Sequence, residues 1–563
     1  MSRTPNFSAK AVAAGLSFAL LAVAAPAFGN SETIVRETGA EFTSERVVPW
    51  VLDVDLRELP RTQGWKPGDA ITIVPEGLYE DRAVEADPNW VDPLVRNVPD
   101  GASFSSEVII SFQTHPFGAG WPPDVNGDVG PNYYISMVNA SNFAIWNKDG
   151  TVAVAAADLS NLWTANGGTP SSQCADGDGD PIVRYDSLAD RWMLTEFDLG
   201  NNNLCFYVSR TADPVTGGWY VYDFPAPSFP DYPQYGVWDD AWYVTTFEFP
   251  SLGLYAFDRT NMLAGNAATF QRFTVPALGG TSPRVTRMLP LDLDGGVAAP
   301  AGTPGILTRT VDNTQDSTDP TDRIEIWELD VDFTTPGNST LTQQPDIALT
   351  AFTLLPCAPS VRDCVDQPGV TEKLDGLFNR PLRRAQYRNF GTHESFVMTQ
   401  VVDAGSGVAG KRWWELRRTP AGAGNWSIYQ EGTYSPDSAG RFMGSMAMDE
   451  AGNIALGYSL SSNTILPAVA ATGRRVNDPL GVMTMDELII KAGEGVQTNT
   501  QRWGDYSAMN VDPSDGRTFW YTNEIVGPTG FWTTWVGSFQ ISDELFSDGF
   551  ESGDTAAWTT AFP

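Results

Sequence analysis

The side chains able to do acid–base chemistry in this chain are carboxylates rather than imidazoles. Among 563 residues there are 69 Asp and Glu but only two histidines, His115 and His393. His393 stands beside Glu394 in a Gly-flanked turn, downstream of Arg384 and Arg388. A histidine with carboxylate and guanidinium groups nearby can serve as acid or base on a polyanionic or sugar substrate; a hydrogen-bonded packing role is the simpler alternative. A second cluster comprises Arg502, Trp503, Asp505 and Tyr506, followed by Tyr521 and Glu524. If 506–511 and 519–523 are the arms of one hairpin, Asp505 and Glu524 fall at the same end of a sheet. Two carboxylates held there suit acid–base hydrolysis of a glycosidic bond, whereas caps on strand ends paired with Arg502 are the structural alternative. The catalytic expectation therefore covers His393, Glu394, Arg388, Asp505, Tyr506 and Glu524. Arg384, Arg412, Arg502, Trp503 and Tyr521 are the expected ligand-binding groups around them.

Two further stretches read as calcium ligands. Asp124, Asn126 and Asp128 place oxygens at alternate positions before a glycine, and Asp176, Asp178 and Asp180 repeat the spacing, as at the opening of a Ca-binding loop. The closing Glu is out of register in both, and solvated turns are the alternative. Zinc is excluded by two histidines and the lack of any CxxC.

The elements that must position these residues are strands. From about residue 106, short runs with period-two alternation and many aromatics recur between Gly, Asp, Asn and Pro clusters, and no long 3.6-period apolar stripe interrupts them. The chain is all-β. Its strand–turn–strand units repeat about every 60 residues, which predicts a β-propeller of six or seven blades over 106–541, with a pair of β-sandwiches as the alternative. Residues 30–105, rich in Pro, Asp and Glu, read as an extended N-terminal leader wrapping the body loosely, and 542–563 as a short acidic and aromatic C-terminal tail. Tryptophans crowd the last third, among them Trp413, Trp414, Trp426, Trp503, Trp520, Trp532 and Trp535. They read mainly as packing between blades, with a few loop-tip faces left to stack on sugars.

The turn Ser514-Asp515-Gly516-Arg517-Thr518-Phe519-Trp520 resembles the Asp-box of sialidase-type propellers, with one spacer before the Asp missing. The strings Tyr387-Arg388-Asn389-Phe390-Gly391-Thr392-His393-Glu394-Ser395, Arg412-Trp413-Trp414-Glu415 and Arg502-Trp503-Gly504-Asp505-Tyr506-Ser507 extend the likeness. Together they resemble a family of large exported bacterial proteins with sialidase-like propeller bodies, over about residues 120–541. The resemblance implies export and fold. It implies no reaction, because the family has no well-established activity, and the Phe/Tyr-Arg-Ile-Pro motif of true sialidases is absent.

Charge and the chain ends narrow the partners. A formal charge of −34 excludes nucleic acid and anionic membrane surfaces, which demand clustered Lys and Arg. Residues 1–29, basic at first, then apolar, then small, read as a secretory signal peptide. Export permits disulfides, and local pairing of Cys174 with Cys205 and of Cys357 with Cys364 is expected. The sequence thus predicts a secreted, monomeric, calcium-stabilised propeller that binds an extracellular polysaccharide or surface glycan. The rival classes are a glycoside hydrolase or polysaccharide lyase, and a non-catalytic structural or adhesive surface protein.

Overall fold

The alternating strand runs fold into antiparallel four-stranded sheets joined by tight polar turns. The computed structural model describes residues 37–73 and 87–541, apart from 119, 166–172, 249–250, 276–277, 279–286, 317 and 359. The expected signal peptide and C-terminal tail lie outside the described residues.

Seven blades are present among the described residues. Their innermost strands are Asn126–Val129, Gly179–Asp186, Asp231–Val237, Leu289–Leu293, Pro381–Asn389, Gly440–Met448 and Ala508–Val511, for blades 1 to 7 in chain order. Each innermost strand touches that of the next blade, and that of blade 7 touches that of blade 1, so the ring closes. Blades 4 and 5 even share hydrogen bonds, through parallel pairing of Leu291 with Ala385. This settles the blade number at seven and removes the sandwich alternative.

Closure uses a strand from far back in the chain. Val108–Gln113 pairs with Trp532–Gln540 and completes blade 7, so the two ends of the propeller body lock each other. The leader is stitched in rather than loose, which corrects the sequence reading. Glu37–Gly39, Phe42–Thr43 and Trp50–Leu52 add a fifth strand to the outer edges of blades 4, 3 and 2 in turn. Covered edges cannot template pairing with another chain. The leader then bridges to blade 5 at Gly405 and Thr433 and to blade 6 at Met485. Asp92 enters blade 5, where it accepts hydrogen bonds from Arg412 at 2.8 Å and from Thr433 at 2.9 Å.

The Asp-box turn works as its chemistry predicts. Asp515 accepts the backbone N–H groups of Arg517 and Thr518 at 2.9 Å, Gly516 takes φ +67°, and Trp520 stacks on Tyr134 of blade 1 at 5.4 Å. Both expected disulfides, Cys174–Cys205 and Cys357–Cys364, are formed. The tryptophans are almost all packing residues. Trp413, Trp414, Trp426, Trp503, Trp520 and Trp532 are buried, so their faces offer no sugar platform.

One core residue conflicts with its surroundings. Lys411, between blades 5 and 6, is fully buried and its Nζ has no hydrogen-bond partner; a Cβ built on Gly444 would fall 3.0 Å from it. Burial pushes this amine well below its usual range. The folded state therefore binds fewer protons here than the unfolded state, and stability rises with pH up to the unfolded lysine value. Lys411→Met is expected to stabilise the protein by about 1–3 kcal/mol at neutral pH. Thermal unfolding between neutral and alkaline pH checks this: the wild type should gain stability and the variant should lose that gain.

Candidate functional site at the axial mouth

The innermost strands of a propeller converge on its axis, and here they converge at both ends with different chemistry. The far end and middle of the axis hold a closed belt of ion pairs. Arg184 bonds Asp128 at 3.0 Å and also Asp292; Arg384 bonds Asp292 at 3.0 Å and Asp294 at 2.9 Å; Arg384 reaches Asn510 of blade 7 at 3.0 Å. Every member of these pairs is buried or nearly so, and together they tie blades 1, 2, 4, 5 and 7. This belt is structural, since each of its charges faces an opposite charge within the protein.

The end where the strands begin, the mouth, is different. Asp124, Asp180 and Asp231 introduce blades 1, 2 and 3, Arg287 and Arg380 introduce blades 4 and 5, and the segment from Arg502 to Tyr506 introduces blade 7. Asp505 donates its backbone N–H to Asp124 Oδ1 at 2.7 Å, while Asn139 donates from Nδ2 to Asp124 Oδ2 and accepts the Asp180 N–H at 3.0 Å. Tyr506 donates its hydroxyl to Asp180 Oδ2 at 2.8 Å and stacks on Tyr232 at 5.2 Å. The Arg380 guanidinium lies over the Tyr232 ring at 4.7 Å. Gly504 donates to Glu524 Oε1 at 2.5 Å; a Cβ there would fall 3.0 Å from that oxygen and 3.2 Å from the Asp124 nitrogen, so a larger residue would crowd both.

Backbone strain marks the same place. Asp124, Asp180 and Tyr232 adopt φ of +41°, +47° and +51°, conformations costly for residues with side chains. Blades 2 and 3 each carry a register shift at this point, between Gly179 and Ile182 and between Asp231 and Gln234. Bulges of this kind re-aim side chains at strand ends and recur beside active sites. Here they turn the carboxylates of Asp180 and Asp231 towards the axis, within electrostatic range of Asp505.

The resulting electrostatics are divided. Burial, then the Asp505 charge, pushes the Asp124 carboxyl up to about 7. Enclosure, then Asp124, Asp231 and Asp505, holds Asp180 well above the usual carboxylate range, and burial does the same to Glu524. Burial also raises Asp231, against the pull of Arg287, Arg380 and Arg502. Asp505, by contrast, faces Arg502 at 3.5 Å, with its side chain 17% exposed. Asp180, Asp231, Arg502 and Asp505 are partly exposed, and Asp124, Glu524, Tyr232 and Tyr506 lie beneath them.

The raised Asp124 value makes a stability prediction. The folded state keeps a proton that the unfolded state releases near pH 4, so this group's contribution to stability falls as pH rises from about 4 to about 7. Asp124→Asn, which preserves the shape, is expected to flatten that decline. Denaturant midpoints measured across the window check it.

The structure divides the residues singled out in the sequence. Asp505, Tyr506, Glu524 and Arg502 assemble at the mouth, and the register Ala508 with Thr522 places Asp505 and Glu524 at one end of the hairpin as expected. Asp124 and Asp180 join them. The His393 group does not, which corrects the first expectation. Arg388 donates to the Met448 carbonyl at 2.6 Å near the end of its strand, and His393 stacks on Phe390 at 4.9 Å in the turn beyond. Glu394 is fully buried and held by Arg418 at 2.7 and 2.8 Å, Tyr387 at 2.7 Å and the Gly422 N–H at 2.5 Å. These interactions are a turn and a buried ion pair at the opposite end of the strands from the mouth.

Four of the expected ligand-binding groups have structural partners. Arg384 belongs to the axial belt and Arg412 to the leader clamp; Trp503 bonds Ser459 at 3.1 Å, and Tyr521 bonds the Met443 carbonyl at 3.3 Å, both fully enclosed. The described side chains of the two Asp-rich stretches have separate protein partners. Asn126 accepts the Val183 N–H at 2.9 Å and Asp128 is held by Arg184, both within a strand; Asp178 accepts the Leu199 N–H at 2.7 Å, facing away from Asp180's partners. The Asp176 side chain lies outside the described ones. Among the described residues no three His, Cys, Asp or Glu side chains are grouped to hold a metal ion.

Sequence reasoning missed Asp231, Tyr232, Arg287 and Arg380. The signal was positional: each immediately precedes or opens an innermost strand, as in Asp180-Pro181-Ile182, Asp231-Tyr232-Pro233 and Arg380-Pro381-Leu382. Superposing the repeats on those strands would have brought them together.

No family model and no curated protein matches the chain. Solved structures similar to it include a protein of unknown function from Dyadobacter fermentans, 10% identical, covering 78% of this chain and 100% of that one with a TM-score of 0.33. A subtype N11 neuraminidase-like protein of A/flat-faced bat/Peru (H18N11) is 10% identical over 81% and 99% of the two chains, with a TM-score of 0.30. An α-L-arabinofuranosidase from Lactobacillus brevis is 11% identical over 65% and 91%, with a TM-score of 0.27. These likenesses are remote, and the seven-blade topology stands on the sheets themselves. No helix among the described residues is long and apolar enough to cross a membrane.

Proposed function

We propose that this is an exported propeller whose axial mouth engages an extracellular glycan and hydrolyses a glycosidic bond, with Asp180 as the acid and Asp505 as the base. One observation carries the reading: two partly exposed carboxylates share the mouth, one enclosed among like charges and the other set against Arg502. Enclosure that keeps a carboxyl protonated is how a site holds a general acid near neutral pH, with a second carboxylate beside it to serve as base. Tyr506, bonded to Asp180 Oδ2, orients that carboxyl. Glu524 and Asp124 beneath it fix the Gly504–Asp505 backbone through the two N–H bonds, so the base stands on a rigid segment. The signal-like N-terminal sequence and the two disulfides support export.

Release of reducing ends from a panel of polysaccharides tests the proposal. The wild type should release them, and Asp180→Asn should lower the rate and remove the alkaline limb of the pH profile. A second reading, binding without cleavage, is favoured by the full burial of Asp124 and Glu524, which keeps two of the proton-holding carboxyls off any substrate. It expects polysaccharide retention with no reducing ends, and retention unchanged in Asp180→Asn.

A further inference from the structure

On the same face as the mouth, between blades 5 and 6, lies a cavity of about 790 Å³. Its blade 6 wall is the end of a hairpin, where Gly440 pairs with Ser461 in register. The blade 5 wall is the turn 404–408, fixed because Asp403 Oδ1 accepts the Gly405 and Gly407 N–H groups at 2.8 and 3.0 Å. The Cys357–Cys364 loop closes a third side. All three walls are pinned, so the cavity is preformed and a ligand would not have to order it.

Its lining selects a chemical class. Lys373 is paired with Asp366 at 3.0 Å, and Asp363 accepts a hydrogen bond from the neutral Gln501 Nε2, so the lining retains the one negative charge of Asp363. Between aliphatic patches at Pro356, Val365, Val408 and Ala409 stand the exposed short hydrogen-bonding side chains of Ser406, Ser438 and Asn463. No aromatic residue lines the cavity. Small-molecule pockets are usually apolar with a few polar groups, and this one mixes the two about evenly. An uncharged ligand carrying many hydroxyls on an aliphatic ring satisfies such walls; an anion meets the Asp363 carboxylate, and a wholly apolar ligand would strand the hydroxyls.

We infer that this cavity is a second sugar-binding site, taking neutral saccharide units. Its continuity with the mouth rests on the reading proposed above: Gln501, which bonds Asp363 of the cavity and accepts the Asp375 N–H at 3.0 Å, directly precedes Arg502. A glycan engaged at the mouth and running outward between blades 5 and 6 reaches the cavity. The site sets a preference for longer, uncharged chains.

The test uses calorimetric titration of the full chain carrying Asp505→Asn, to prevent turnover, with neutral gluco-, manno- and xylo-oligosaccharides of graded length and with oligogalacturonates for comparison. Asn463→Trp and Ser438→Trp, both at exposed lining positions, fill the cavity without touching the core. Expected is binding of at least one neutral series that strengthens with length, and a loss of about tenfold or more for the long members in both Trp variants. Affinity unchanged in the Trp variants, oligogalacturonates bound more tightly than every neutral series, or no neutral oligosaccharide bound at all overturns the inference. Binding lost in the Trp variants of a protein that releases no reducing ends supports this site and refutes only the hydrolytic chemistry of the mouth.

Discussion

Asp505→Asn is expected to lower reducing-end release by about 10²–10⁴-fold, the usual contribution of a positioned acid or base, with the unfolding midpoint little changed. The side chain is 17% exposed and its amide isostere keeps the backbone N–H that bonds Asp124, so the fold loses only a partly buried charge pair with Arg502 at 3.5 Å. The substitution also removes a negative charge that raises both Asp124 and Asp180. Their protons should then leave at lower pH, and the alkaline limb of any residual activity should shift in the same direction. A structural role for Asp505 would move stability and leave the pH profile in place. The pH–rate profile of the purified variant, beside its circular dichroism, distinguishes the two.

Arg412→Ala is expected to destabilise the protein by about 3–5 kcal/mol. Arg412 and Asp92 are both wholly enclosed, the guanidinium bonding Asp92 at 2.8 and 2.9 Å, the Thr433 hydroxyl at 2.7 Å and the Thr350 carbonyl at 3.1 Å. Truncation leaves the Asp92 charge buried with no countercharge and two remaining donors, the Thr433 hydroxyl and the Leu94 N–H. The double replacement Asp92→Leu with Arg412→Met removes both charges and should recover a large part of the loss, because a missing pair costs less than half a pair. Denaturant unfolding of the two variants checks the sign and the order. If the leader were only loosely wrapped, Arg412→Ala would cost much less.

Much of this fold is legible in the sequence because a propeller repeats a local pattern. Period-two alternation identified the strands, the Asp515 turn showed how one pair is joined, and the spacing of Cys357 and Cys364 gave a local disulfide. What the spacing did not reveal is closure. Val108–Gln113 and Trp532–Gln540 are more than 400 residues apart in the chain, and no local pattern marks them as partners. The leader edge strands escaped for a related reason: two or three residues such as Phe42–Thr43 give no periodicity to detect.

The site was half legible. Asp505 and Glu524 could be paired because they belong to one hairpin, whose geometry follows from the strand pattern. Asp124 and Asp180 stand out in the sequence for their spacing with neighbouring acids, a loop signal, but residues two apart share a face only in a regular strand, and the positive φ of Asp180 with the register shift after Gly179 breaks that regularity. Asp180 therefore reaches Tyr506 while Asp178 caps Leu199. His393 and Glu394 attracted attention as adjacent titratable groups, and adjacency in a strand means divergence: Glu394 enters the blade and His393 remains in the turn. The negative charge of the chain acquires a location as well, with five carboxylates drawn to one end of the axis and answered there by three arginines.

The most direct test of the account is a crystal structure of the Asp505→Asn protein soaked with an oligosaccharide that the wild type cleaves or retains. The account predicts a sugar ring at the axial mouth, with its glycosidic oxygen beside Asp180 and its hydroxyls within reach of Arg502. A sugar bound only at the opposite end of the axis, beside His393 and Arg388, or only on the outer rim, would contradict it.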